Sequence, residues 1–230
     1  MDINTQWISS SESTFVLFLG GQISLDKQKL CWALSHHLNA CTDLPVSETV
    51  VGMNALTVYL DKDVLYPNPS NLAIYQKLLN EITDDFVGSS GSFDGIDGKH
   101  VDIPVVYGGE YGADLADSAK VLGMSIDELV ARHTAPLYTV YFIGFQAGFP
   151  YLGGLPDELH LPRHAKPRTK VPQGSVGIGG AQTGIYPFES PGGWQLLGRT
   201  DLPLFDKTNN PPTLLQAGDT LRFVATDILA

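Results

Sequence analysis

One stretch constrains this chain more than any other. Phe142–Thr200 reads FIGFQAGFPYLGGLPDELHLPRHAKPRTKVPQGSVGIGGAQTGIYPFESPGGWQLLGRT. Half of the chain's 24 glycines lie between Gly144 and Gly198, and seven of its 15 prolines lie between Pro150 and Pro191. Such density usually marks a flexible linker, but linkers lack large apolar side chains. This stretch carries Phe145, Phe149, Tyr151, Leu152, Ile185, Tyr186, Phe188 and Trp194. Glycine permits positive φ and close backbone approach, and proline fixes φ. Interleaved with aromatics, they predict ordered, tightly turned loops on a β scaffold, where binding and catalysis concentrate.

The remainder of the chain sets outer limits. Its 230 residues allow one large domain or two small ones, and 43% hydrophobic content supplies a core. There is no run of about 18 apolar residues, so no membrane span is expected. The start, MDINTQWISSSESTFVLFLGG, lacks the basic region and small-residue cleavage site of a signal peptide. Cys31 and Cys41 make neither a disulfide framework nor a metal cluster, so a reduced, cytoplasmic protein is expected. A formal net charge of −11 disfavours nucleic acid and anionic membranes as partners.

Two differently patterned halves are expected. In the first, Thr14–Leu19 is a strand ended by two glycines, and Ser24 caps a helix with Leu30, Leu34 and Leu38 on one face. Pro45–Val51 and Ala55–Leu60 read as strands, and Ser70 opens a helix with Leu72, Tyr75, Leu79 and Ile82 on one face. That β-α-β-β-α order is most of a ferredoxin-like split βαβ unit. Val87–Lys99, rich in Gly, Ser and Asp, reads as a linker, which divides the chain into domains 1–90 and 91–230. In the second half, His100–Val106 is a strand and a helix runs from Asp114 to near Gly123. Ser125 and Glu128 form a capping box for a helix reaching about His133. After the apolar strand Leu137–Phe145 come short strands and tight turns, then a last strand, Thr220–Val224. This pattern predicts a β-barrel and an α+β fold class.

Three constellations are candidates for chemistry. The first is the basic cluster His160, Arg163, His164, Lys166, Arg168 and Lys170, in a segment with no acidic residue from Leu159 to Phe188. Arg163 and Arg168 each follow a proline, and a guanidinium fork matches two oxygens of a small anionic substrate. The alternative is a solvated loop or a protein–protein contact. The second is GSVGIGGAQTG, Gly174–Gly184, with Ser175, Gln182 and Thr183, where exposed amides can form an anion-binding nest. Turn chemistry alone explains it equally well. The third is Gly192-Gly193-Trp194-Gln195. Trp194, with Phe149 and Tyr151, would wall a pocket and Gln195 would address an amide, although tryptophan is more often core. Glu110 is a weaker candidate base.

Several motifs fail. Gln173 stands where a nucleophile elbow at Ser175 needs glycine, and Phe93 stands where a phosphate loop ending Gly98-Lys99 needs its first glycine. No histidine pair has metal-ligand spacing, so no metal is expected. With neither nucleotide motif nor nucleophile, any catalysis is expected to need another chain.

GFQAGFPYLGGLP, PRHAKPRTKVPQGSVGIGGAQTGIYP and SPGGWQLLGRT resemble the signature of the 5-oxoprolinase B-subunit family, also labelled allophanate hydrolase subunit 1 and including the kinase inhibitor KipI. HVDIPVVYGGEYGADL and VVGMNALTVYL are similar to other parts of that family. The resemblance implies a cyclophilin-like second domain. It also implies work with two further 5-oxoprolinase chains, a KipA-like C-type chain and a lactam-hydrolysing A-type chain. Together they open 5-oxoproline to glutamate at the expense of ATP held somewhere in the complex. The resemblance leaves two alternatives: a KipI-like regulator of a sensor histidine kinase, and a carboxyltransferase-type subunit of a urea or allophanate pathway. The allophanate label carries less weight, because no amidase Ser-Ser-Lys signature is recognisable.

Overall fold

The computed structural model describes residues 5–65, 71–89 and 98–229. Two compact units divide the chain, Met1–Ile96 and Asp97–Ala230. Ser70 and most of the linker read at Val87–Lys99 lie outside the described residues.

The first unit contains β1 (Trp7–Ser11), β2 (Thr14–Phe18), α1 (Leu25–Ala40), β3 (Val46–Gly52), β4 (Ala55–Leu60), a single turn α2 (Lys62–Leu65) and α3 (Asn71–Ser89). Its sheet runs β1-β2-β4-β3, with each neighbouring pair antiparallel. Phe15, Leu17, Leu56, Val58 and Leu60 alternate onto one face and join Leu30, Leu34 and Leu38 in the core. The Ser24 side chain accepts from the Lys27 amide and caps α1 as its residue type predicts. Strand β1 is an addition to the sequence reading. Its single core side chain, Trp7, donates its indole N–H to Thr83 at 2.9 Å, while Ser9 and Ser11 leave too little alternation for a strand signal. The order is therefore β-β-α-β-β-α, with the extra edge strand ahead of the first helix.

The second unit contains β5 (His100–Gly108), α4 (Leu115–Leu122), α5 (Ile126–Thr134), β6 (Tyr138–Ile143), β7 (Pro150–Gly153), β8 (Arg168–Val171), β9 (Ser175–Gly179), β10 (Gln182–Ile185), β11 (Ser190–Gly192), β12 (Gln195–Arg199) and β13 (Thr220–Leu229). Seven strands close into a barrel in the order β10-β7-β6-β13-β5-β12-β9, while β8 and β11 form a separate ribbon. Closure leaves the barrel no unpaired edge. The β5–β13 pair is parallel. Gly123 at φ +70 ends α4, and the Ser125 side chain accepts from the Glu128 amide to start α5.

The barrel interior is packed with Ile103, Val105, Val140, Leu152, Val176, Ile178, Leu221 and Phe223. One polar thread crosses it. Tyr107 donates to His133 Nδ1 at 2.8 Å, His133 Nε2 lies 3.0 Å from Thr183 Oγ1, and Thr183 donates to the Gly177 carbonyl at 3.0 Å. That direction assigns the proton to Nε2 and leaves the ring neutral. Burial pushes the His133 pKa down to about 3, so this histidine is a satisfied core residue.

Candidate functional site

A second apolar cluster lies outside the interior core. Phe149, at the end of the β6–β7 loop, meets Tyr186 at 5.3 Å and Trp194 at 5.5 Å between ring centroids, both edge to face. Tyr186 and Trp194 are 6.2 Å apart. These three rings are nearly fully buried, and Tyr151 packs beside them. The local glycines make the packing possible. A Cβ at Gly179 would sit 2.4 Å from the Trp194 ring, one at Gly184 3.1 Å from it, and one at Gly192 2.5 Å from the Tyr186 hydroxyl. Large rings thus rest directly on strand backbone, which explains why glycine and aromatics alternate here.

Above these rings opens a pocket of about 270 Å³. Phe149, Tyr151, Tyr186 and Trp194 form its apolar part; Arg163 and His164 add polar groups; Pro167, Pro191 and Phe145 complete the rim. The Arg163 guanidinium lies over Trp194, 5.7 Å from the ring centroid. Among the described residues no carboxylate stands within ion-pair distance of Arg163. Burial raises the Tyr151 and Tyr186 phenol pKa values, with Arg163 acting in the opposite direction. Both phenols are protonated at neutral pH. The arrangement can bind a small anion: a cation at the mouth, and a low-dielectric floor that strengthens the contact.

Asp114 organises the ground behind this pocket. Only 6% exposed, it accepts from Arg168 Nη2 at 2.5 Å and from the Leu196 amide at 2.7 Å, and its Oδ2 lies 3.3 Å from His164 Nε2. It occupies the N-cap position of α4 without capping it, because its side chain is turned to these partners. Arg168 is therefore neutralised from within, whereas Arg163 is not.

The structure brings Arg163, Phe149, Tyr151 and Trp194 into one pocket and places Arg168 beside it on Asp114. Gln195 is half-buried next to Trp194 and donates to the Pro162 carbonyl at 2.8 Å. The other candidates lie elsewhere. GSVGIGGAQTG forms the paired strands β9 and β10 rather than an open loop. Ser175 is buried in β9, Thr183 faces the barrel interior, and Gln182 sits at the hairpin end opposite Gly179. Glu110 is exposed on the turn after β5. Residue reasoning named Phe145 and Tyr186 among the aromatics of the block and Asp114 as a helix start, but assigned none of them to the site. Asp114 carried no local signal, since its partners lie 54 and 82 positions away. Among the described residues no group of three His, Cys, Asp or Glu could hold a metal, and no helix is long and apolar enough to cross a membrane.

Residues 5–215 match the family described as carboxyltransferase domain, subdomain C and D, and the chain belongs to that family. Within it, the chain is similar to the Haemophilus influenzae protein named as the B subunit of 5-oxoprolinase, with 50% identity over 95% of this chain and 96% of that one. The crystal structure of TTHA0988 is 33% identical with a TM-score of 0.74, covering 93% of this chain and 40% of that one, so this chain spans about two fifths of it. The Kluyveromyces lactis urea carboxylase shares the fold, with 19% identity, a TM-score of 0.71, and coverage of 96% of this chain and 21% of that one.

Proposed function

We propose that this chain is the B-type subunit of a 5-oxoprolinase, a hydrolase that opens 5-oxoproline to glutamate. The observation that carries the reading is end-to-end similarity at 50% identity to a protein of that name. The name denotes one chain among several, which supports a complex with A-type and C-type chains. In this reading ATP is used by the complex, because the lactam carbonyl is a poor electrophile until its oxygen is phosphorylated or the substrate is otherwise activated. The pocket above Phe149 and Trp194 supplies a place for a small carboxylate, with Arg163 as its cationic partner. We extend the proposal to the fold of each unit. The first unit is ferredoxin-like, supported by β4 lying between β2 and β3, antiparallel to both. The second is cyclophilin-like, supported by the closed barrel flanked by helices.

The test is reconstitution. The purified chain is expected to show no ATP-dependent glutamate formation from 5-oxoproline, and activity is expected to arise when the A- and C-type chains are added. Robust turnover by this chain alone would overturn the partner requirement. A full complex that turns over urea or allophanate but not 5-oxoproline would overturn the substrate.

A further inference from the structure

Phe145 combines two features that a purely structural residue avoids. Its backbone is left-handed, at φ +64, a region where a side chain meets its own carbonyl and where glycine is the usual occupant. Its ring is 60% exposed and lines the pocket, and Gly148, three residues on, takes a second left-handed turn at φ +83. The loop is not slack. Gly144 donates to the Phe149 carbonyl at 3.1 Å, and the Phe149 amide returns to the Gln146 carbonyl at 3.1 Å, so a tight turn fixes the position. The ring meets Phe149 at 5.4 Å and Tyr186 at 6.4 Å, each edge to face, and contributes to the pocket lining. An unfavourable backbone that holds an apolar ring in solvent beside an aromatic floor is the kind of local conflict that marks function.

We infer that Phe145 is a specificity-determining cover at the pocket's edge: bound ligand packs against the exposed part of its ring, beside the Phe149–Trp194 floor, with a carboxylate turned to Arg163. The cavity is at the small end of ligand pockets, which begin at about 300 Å³. That volume suits a compact carboxylic acid rather than an extended peptide or nucleotide, and the aromatic lining suits the C–H edges of a small ring. This rests on the reading of the pocket as the 5-oxoproline site and adds to it the residue that selects the closed ring over open-chain glutamate. The ring shields the Arg163–carboxylate contact from water, and an aliphatic side chain of similar bulk supplies part of that shield.

Calorimetric titration of L-5-oxoproline and of L-glutamate into the full-length chain tests this, with Phe145→Gly, Phe145→Leu and Arg163→Ala compared against the unaltered protein. Phe145→Gly is expected to weaken 5-oxoproline about 3- to 10-fold, the range of one aromatic contact, and to reduce its advantage over glutamate. Phe145→Leu should recover part of the loss. The melting temperature of Phe145→Gly should stay within about 2 °C of the unaltered chain, because relief of the φ +64 backbone offsets the lost ring contacts and the freedom glycine adds to the unfolded chain. A structural role for the ring would lower it instead. If Arg163→Ala loses binding and Phe145→Gly does not, the cover is wrong and the pocket stands. If both bind normally, or the unaltered chain binds neither acid, the pocket reading fails with it. Weakened association with a C-type chain at unchanged ligand affinity would make Phe145 a contact between partner chains and overturn the inference.

Discussion

The barrel interior and its aromatic flank use the same kinds of residue to opposite ends. Inside, His133 stacks on Phe223 at 4.7 Å and is enclosed by Tyr107 and Tyr138. Outside, His164 and Arg163 stand among Phe149, Tyr151, Tyr186 and Trp194. The difference lies in who satisfies the polar atoms. Both ring nitrogens of His133 have protein partners, and its backbone carbonyl accepts from the Tyr138 hydroxyl at 2.8 Å. Among the described residues, Arg163 has the face of Trp194 and no carboxylate. A polar group completed by its own chain stabilises a fold; one left incomplete beside a dry surface is available to a ligand.

The largest expected effect breaks the interior. His133→Ala removes a fully buried ring and deprives Tyr107 of its acceptor, so unfolding in urea should show a loss of about 3–5 kcal/mol. The same residue makes stability depend on pH. Its folded pKa of about 3 lies below the ordinary 6.5, so the unfolded chain binds the extra proton between those values. The stabilisation is complete above pH 6.5 and falls by about 1.4 kcal/mol per unit as pH drops toward 3. His133→Ala should lack this contribution to the slope. An unchanged slope would mean the ring is not neutral in the fold.

The two arginines sharpen the comparison. Arg168 belongs with the structural group despite its place next to the pocket: its loss leaves the Asp114 carboxylate buried without its cation, and should cost about 2 kcal/mol of stability, discounted for the partial exposure of the Arg168 side chain. Arg163→Ala should leave the melt unchanged and weaken binding of a small carboxylate by roughly 2 kcal/mol, about thirtyfold. Lys77, exposed on α3, is the control. If Arg163→Ala destabilises and Arg168→Ala only weakens binding, the roles are reversed.

How far the sequence carried follows the same division. Periodic elements were legible: α1 with its leucines at four-residue spacing, β4, and both ends of α5, because their signals lie within a few residues. The dense Gly, Pro and aromatic block correctly marked ordered structure, but not which part would be strand. Gly174–Gly184 resembles a loop in composition because the glycines of β9 and β10 make room for Trp194 and Phe149 from other segments. Equivalence of Arg163 and Arg168 in the sequence was broken by Asp114, an acid beyond the far end of β5 that no local window contains. His133 was visible only as the end of a helix; its partners come from strands 26 residues before and 50 residues after it.

The smallest effect concerns how Arg163 is held. Gln195 donates its side-chain amide to the carbonyl of Pro162, the residue immediately before Arg163, across 33 positions of sequence. The bond is solvent-exposed, so its net contribution is about 0.5 kcal/mol, the low end for a protein hydrogen bond. Pro162 fixes its own φ, so the tether acts chiefly on the direction from which Arg163 leaves the loop. Gln195→Ala should therefore change the melting temperature by no more than about 2 °C, while binding of 5-oxoproline weakens roughly two- to threefold. Gln195→Glu is the sharper probe: it keeps the length but replaces the donor with a carboxylate close to the Pro162 carbonyl, and should weaken binding further than alanine. A Gln195→Glu variant that binds as tightly as the unaltered chain would show that Arg163 is positioned without this tether, and would remove Gln195 from the ligand-binding flank.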